Sequence, residues 1–303
     1  MRVSHILIAM PEFNTVGLIG KQRDERVGQT LAQLVQLLPK LGCAPLVETP
    51  SAAALAGTEC QRVTRQELGR RCDLLIVVGG DGTLLAAARE LAHTRIPILG
   101  INQGRLGFMV DVNPQEMEIT LAQILGGDYV REQRLLLRTQ IRRADGSTTT
   151  GTSLAVNDVV LRNQAAVRML EFETWLGPEF ISRHRADGII VSTPTGSTAY
   201  ALSGGGPVLH PSLDAITLVP ICPHTLSDRP IVVRSDRTVR LVLGGAEGTR
   251  SMVTCDGQTS ETLKPGDAVE ISRADESLHL IHPPNYNYFN ILRGKLHWGR
   301  GQA

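Results

Sequence analysis

Asp73-Leu74-Leu75-Ile76-Val77-Val78-Gly79-Gly80-Asp81-Gly82-Thr83 is the stretch on which the fold turns. An unbroken apolar run that enters glycines reads as a strand buried on both faces of a parallel sheet. The Ala/Leu-rich residues that follow, Thr83–His93, read as a helix. Working outward, Val16–Gly20 is a second short strand. Arg26–Leu41 places Val27, Leu31, Leu34, Val35, Leu38 and Leu41 at helical spacing, and Gly42 suits a C-cap. Ala44–Glu48 and Ile96–Ile101 add strands. Strand alternating with helix predicts a parallel sheet covered by helices, a Rossmann-like α/β domain.

The character changes after about residue 112. Pro114–Leu125 reads as one more helix. Beyond it come short β-rich runs: Leu135–Ile141, Leu154–Leu161, Met169–Trp175, Gly188–Ser192, Ile216–Val219, Ile231–Val233, Val239–Leu243 and Ala268–Ile271. Asp-Gly, Gly-Gly and Pro-rich turns separate them, which predicts a mainly antiparallel β domain. The expected division is an α/β domain over 1–112 and a β-rich, ligand-binding domain over 113–284. The aromatic, amphipathic tail (285–303) is expected to pack back on the first domain.

The 303 residues are 42% hydrophobic and 20% charged, which excludes wholesale disorder. Lys+Arg 31 against Asp+Glu 30 leaves a net charge of +1, with no basic footprint for nucleic acid. No apolar run approaches a membrane span. Met1–Ile8 lacks a signal peptide's long apolar region, so a cytoplasmic protein is expected. The five cysteines (Cys43, Cys60, Cys72, Cys222, Cys255) form no C-x-x-C pair and read as reduced thiols. His279 and His282, three apart in an apparent strand, point to opposite faces and make no metal cage.

Four segments carry chemistry. Gly79-Gly80-Asp81-Gly82-Thr83 lets the backbone approach a ligand, and the following helix N-terminus suits phosphate. Asp81 would repel that phosphate unless it has another task. Deprotonating a hydroxyl supplies one, so phosphoryl transfer to a hydroxyl uses both halves of the loop. The plain alternative is a β–α turn with Asp81 as the helix N-cap. In the second segment, ten of the fifteen residues from Ser192 to Gly206 are Ser, Thr or Gly, leaving room and hydrogen-bonding groups for a polar ligand. There Tyr200 could stack on a base. In the third, Asn157-Asp158 interrupts an apolar strand, so at least one of the two is buried or at a bulge and needs a partner. Ribose hydroxyls, an adenine edge or a neighbouring turn would all serve. The fourth, Gly100–Phe108, follows the next parallel strand and puts Asn102 near Asp81, where ligand crevices form.

Together these segments resemble the NAD kinase family: GGDGT (79–83), GINQGRLGF (100–108), AVNDVVL (155–161), ADGIIVSTPTGSTAYALSGGGPVL (186–209) and CDGQ (255–258) occur in the family's order and spacing. The resemblance implies ATP-dependent phosphorylation of the 2′-hydroxyl on the adenosine ribose of NAD, giving NADP. It implies a divalent cation, usually Mg²⁺, with no protein metal ligands assigned, and a homodimer or homotetramer. The implied fold is an α/β domain like those of phosphofructokinase and diacylglycerol kinase, plus a C-terminal β domain, with the site between them.

Carried over by position, Asp81 resembles the general base. Gly79, Gly80, Gly82, Thr83 and Asn102 resemble the ATP-phosphate loop, and Gly82 also adjoins NAD. Asn157, Asp158, Asp187, Thr198, Ala199, Tyr200, Ala201, Leu202 and Ser203 resemble the dinucleotide site. Arg168, Arg185 and Gln258 resemble further dinucleotide contacts, some reached across a subunit interface. A basic residue at the position of Arg185 goes with use of NAD rather than NADH. A lipid or sugar kinase and a non-catalytic dinucleotide sensor are the competing readings. The hydroxyl-rich 192–206 segment argues against the first, and the retained Asp81 against the second.

Overall fold

A computed structural model describes residues 12–22, 24–55, 57–104, 107–149, 153–164, 169–225, 227–245 and 250–298. Met1–Ile8 and Arg168, which bear on the localisation and dinucleotide expectations, lie outside these residues, as do Arg105 and Leu106. The chain divides into two compact units, 1–132 with 279–303 and 133–278.

In the first unit the elements are β1 (Thr15–Gly20), α1 (Glu25–Leu37), β2 (Ala44–Glu48), α2 (Thr49–Ala52), β3 (Gln61–Val63), α3 (Arg65–Arg71), β4 (Leu74–Val78), α4 (Asp81–Leu91), β5 (Ile98–Ile101) and α5 (Met117–Leu125). The five strands run in the order β3-β2-β1-β4-β5, all neighbours parallel. The order reverses between β1 and β4. That switch point, at the C-terminal strand ends, is where an open α/β sheet forms its ligand crevice, and the Gly79–Gly82 loop leaves β4 there.

β4 is buried at every residue because helices cover both faces. α1 turns Val27, Leu31, Leu34 and Val35 into a core with Leu18, Ile76 and Leu99. The predicted helix to Leu41 ends its α-helical part at Leu37. Pro39 cannot continue the ladder, so 38–41 tighten into a 3-10 turn closed by Gly42 at φ 84°. Cys43 and Cys72 are buried free thiols of this unit.

The remaining strands are β6 (Val130–Arg142), β7 (Ser153–Ala155), β8 (Asp158–Asn163), β9 (Leu170–Leu176), β10 (Glu179–Ala186), β11 (Gly188–Ser192), β12 (Ala215–Ile221), β13 (Ile231–Arg234), β14 (Val239–Leu243), β15 (Ser251–Cys255), β16 (Thr259–Leu263) and β17 (Ala268–His282). The short helix α6 spans Tyr200–Ser203, and α7 spans Tyr288–Leu296. Within the second unit, β13-β12-β11-β8-β15-β16 form an antiparallel sheet. A second set, β10-β9-β14-β17, is also antiparallel. Val159, Leu161, Ile189 and Val191 of the first sheet share a core with Phe172, Leu241, Val269 and Ile271 of the second. The expected pairing of an α/β unit with an antiparallel β unit is therefore what forms. The last residues of β17 return to the first unit, where Leu280 and Ile281 pair in parallel with Ile98 and Leu99 of β5. Among the described residues no helix is long and apolar enough to cross a membrane.

Candidate active site

In the first unit, α4 begins on Asp81 itself, two residues earlier than the sequence pattern predicts. Its N-cap is Gly80, which has no side chain to offer, so the reading of Asp81 as N-cap is set aside. The Asp81 carboxylate instead turns to the loop after β5. Oδ2 accepts the Phe108 N–H at 2.9 Å and Oδ1 the Met109 N–H at 3.1 Å. Two backbone donors fix the orientation of the group while each oxygen keeps a further lone pair.

This seat depends on Gly107. A Cβ there would lie 2.2 Å from Asp81 Oδ1 and 2.3 Å from Val110 Cγ2. Gly79 is constrained likewise, since its Cβ would sit 2.7 Å from Thr83 Oγ1. Gly80 and Gly82 are exposed, with open space where a Cβ would go. Asn102 is buried, and its Oδ1 accepts the Gly104 N–H at 3.2 Å, bracing its own loop.

In the second unit a cavity of about 420 Å³ is lined by Asn157, Asp158, Val160, Arg162, Ala199, Tyr200, Thr254, Asp256 and Gly257. Its floor follows from strand geometry. Asp158, Val160 and Arg162 alternate along β8 and so share one face, with Thr254 of β15 opposite Val160. The strand breaks at Val156-Asn157 because Asp256 captures its amides. Asp256 Oδ2 accepts Val156 N–H at 3.0 Å, and Oδ1 accepts Asn157 N–H at 2.7 Å and Asp158 N–H at 3.2 Å. Of the Asn157-Asp158 pair, Asp158 is the buried member at 5% exposure. Burial, and then the charge of Asp256, push its carboxyl up to about 7.

The hydroxyl-rich segment forms the wall as a tight, bonded turn. Thr193 Oγ1 donates to Val156 O at 2.6 Å and accepts the Gly196 N–H at 3.0 Å. Ser197 Oγ donates to Pro194 O at 2.6 Å, and Arg134, buried, donates through Nη1 to Thr195 Oγ1 at 3.3 Å. Gly196 packs against Asn157, whose carbonyl oxygen a Cβ at 196 would meet at 2.1 Å. The hydroxyls therefore mostly build the turn, while the ring of Tyr200, 46% exposed, lines the cavity.

The structure gathers Asn157, Asp158, Ala199 and Tyr200 around this cavity. Thr198 Oγ1 donates to Thr195 O at 3.2 Å, and Ala201 is buried against Val160, Ile190 and Val219. Leu202 is half-buried and Ser203 exposed on α6. Arg185 lies on β10, 61% exposed and paired with Glu171 at 3.3 Å. Asp187 is exposed between β10 and β11, and Gln258 is exposed where β15 turns into β16. Arg162, Thr254, Asp256 and Gly257 were not among the expected residues. A signal existed for the last two. Asp-Gly between two β runs marks a hairpin turn with positive φ, and Asp256 and Gly257 adopt 51° and 64°.

Comparison with known proteins covers nearly the whole chain. Residues 16–129 match the model of the ATP-NAD kinase N-terminal domain, and 156–283 that of the ATP-NAD kinase C-terminal domain. The chain is 47% identical over 289 residues to the NAD kinase of Hahella chejuensis, covering 95% of this chain and 97% of that protein. It is 46% identical over 288 residues to the NAD kinase of Nitrosococcus oceani, covering 95% and 98%. Among solved structures it resembles an NAD kinase from Archaeoglobus fulgidus in complex with ATP, with TM-score 0.72 and 25% identity over 93% of this chain and 98% of that one. Yeast NADH kinase complexed with NADH shares the fold at TM-score 0.88 and 22% identity, over 97% of this chain and 90% of that one.

Proposed function

The chain belongs to the NAD kinase family, and on that premise we propose that Asp81 is the base of its reaction. The enzyme phosphorylates NAD to NADP with ATP as phosphoryl donor. Asp81 takes the proton of the adenosine ribose 2′-hydroxyl as that oxygen bonds to the γ-phosphorus. The bond from that phosphorus to the β–γ bridging oxygen breaks, and ADP leaves. Asp81 then releases its proton to solvent. There is little covalent work for the protein in such a transfer, so most of the acceleration comes from positioning and charge neutralisation.

The observation that carries this assignment is the seat of Asp81. Its carboxylate caps no helix; two N–H groups aim it, and neither oxygen is used up. The exposed Gly80 and Gly82 at the same helix start leave the backbone open to phosphate oxygens. NAD is assigned to the cavity of the second unit, with the Tyr200 ring for stacking and Asn157 and Asp158 for polar edges. Arg162 there offers a planar fork to pyrophosphate oxygens. Away from the cavity lining, Asp187 is assigned as a polar anchor for the dinucleotide, and Arg185 and Gln258 as further dinucleotide contacts, some reached across the interface of a homodimer or homotetramer.

Among the described residues no group of three or more His, Cys, Asp or Glu side chains could hold a metal ion. A Mg²⁺ carried in with ATP would need no such cluster: its phosphates, with one or two carboxylates at most, would hold it, and it would neutralise their charge.

Purified protein given Mg-ATP and NAD should yield NADP, with diacylglycerol and fructose 6-phosphate inert as acceptors. Asp81→Asn should bind NAD in calorimetry and lose about 10²–10⁴-fold in kcat. Its amide nitrogen would face one of the two N–H donors, so thermal unfolding is followed alongside for a loss of about 1–3 kcal/mol. Turnover of Asp81→Asn at the level of the unmodified enzyme would remove Asp81 from the base role.

A further inference from the structure

His282 closes β17 and is fully buried. Its Nδ1 lies 2.9 Å from Asp111 Oδ2 and its Nε2 lies 3.1 Å from Glu132 Oε2. Tyr286 stacks on the ring at 3.8 Å between centroids, and its hydroxyl donates to Glu132 at 3.3 Å. Among the described residues, Asp111, Glu132 and Tyr286 are titratable groups that face the imidazole. A neutral imidazole has one N–H, yet both ring nitrogens here meet carboxylate oxygens, which only accept. The geometry calls for an imidazolium between two carboxylates, with an aromatic face beneath it.

Asp111 belongs to the segment that seats the base. Phe108 and Met109 give their N–H groups to Asp81, and Val110 O accepts the Gly107 N–H at 3.1 Å. Val112 then runs along β5, its N–H donating to Gly100 O at 3.2 Å and its carbonyl accepting Asn102 N–H at 3.0 Å. On the same edge of β5, Leu280 and Ile281 pair with Ile98 and Leu99, which brings His282 beside Asp111. Lys295 of α7 lies over the Phe108 ring at 5.6 Å. The returning C-terminal stretch thus touches this segment twice.

We infer that His282 is a positioning residue: through Asp111 it holds the 107–112 segment whose amides aim Asp81. The inference rests on the assignment of Asp81 as base and adds the device that keeps it aimed. Burial disfavours the charged ring, but the bonds to Asp111 and Glu132 outweigh it, so the proton is held above the ordinary histidine range. A group of raised pKa gives its stabilisation at low pH and loses it as pH rises through the folded value. The clamp is therefore in place at low pH and loosens as pH rises through that raised value.

The test uses the full-length enzyme. The ¹⁵N spectrum of the ring of His282 at neutral pH should show both nitrogens protonated; a neutral tautomer overturns the proposal. His282→Gln, which can serve only one carboxylate at a time, should lower kcat about tenfold or more with KM for NAD within twofold. In the same variant the Phe108 and Met109 amides should exchange faster with solvent than the buried β4 amides do. Intact protection of those two amides, or kcat within twofold of the unmodified enzyme, also overturns it. Should His282→Gln be too unstable to assay, the ring spectrum and its loss of the second proton with rising pH, in step with Met109 exchange, decide the matter on the unmodified enzyme. Full turnover of Asp81→Asn would sink the base assignment instead, leaving the amide result to stand.

Discussion

Replacing Gly107 by alanine puts a methyl carbon 2.2 Å from Asp81 Oδ1, 2.9 Å from Asp81 Cγ and 2.3 Å from Val110 Cγ2. Carbon needs about 3.5 Å from a neighbouring heavy atom, so roughly 1 Å of relief must be found. Val110 is fully buried and cannot give way freely. The carboxylate is the softer partner, but moving it breaks or stretches its bonds from Phe108 and Met109. Overpacking of this kind costs about 1–3 kcal/mol of stability. A displacement on the order of 1 Å at a reacting group costs about 10²-fold in rate.

Gly107→Ala should therefore lower kcat about 10²-fold while KM for NAD stays within a few-fold, because the cavity assigned to NAD is lined by other residues. The assay is steady-state NADP formation with thermal unfolding in parallel. Gly294→Ala in α7, where a Cβ meets open space, is the control and should leave turnover unchanged. A Gly107→Ala enzyme with unmodified kcat would refute the argument that this glycine exists to admit the Asp81 carboxylate.

Asp158, whose carboxyl is raised from 3.8 to about 7, holds its proton more tightly folded than unfolded. Stability should fall as pH rises through that interval, by up to about 4 kcal/mol at about 1.4 kcal/mol per pH unit. Asp158→Asn should consequently stabilise the protein more at pH 8 than at pH 5 in thermal unfolding, and an equal difference at both would contradict the burial argument. Gly196→Ala would drive a methyl to 2.1 Å from Asn157 O and 2.7 Å from Ser192 Oγ. It should weaken NAD binding at least tenfold by calorimetry and cost about 1–3 kcal/mol of stability; unchanged affinity would detach this turn from the dinucleotide site.

Much of this molecule was legible in local pattern. The apolar run 74–78 announced a doubly covered parallel strand, and the period of 26–37 announced α1, because burial on one face leaves its spacing in the chain. Strands with little to bury left no such trace. Four of the five residues of β16 (TSETL) are exposed, and β10 (EFISRHRA) shows charged residues to solvent, so neither was expected. β17 reads in the sequence as two pieces, Ala268–Ile271 and an apparent strand at His279–His282, because Arg273, Asp275 and Glu276 interrupt the apolar pattern between them.

At the site, residue type alone marked Asp81 and Asn157-Asp158 as chemistry, because a carboxylate or amide inside an apolar or glycine context needs a partner. Which partner is a different matter. Asp81 is aimed by amides 27 and 28 residues further on, and Asp158 is tuned by burial and then by Asp256, whose carboxylate accepts its N–H across 98 residues. Bonds of that reach have no period along the chain. They arise only when strand order and register bring distant backbone together, and so the identity of the groups was written locally while their aim and their affinity for protons came from the folding of the chain upon itself.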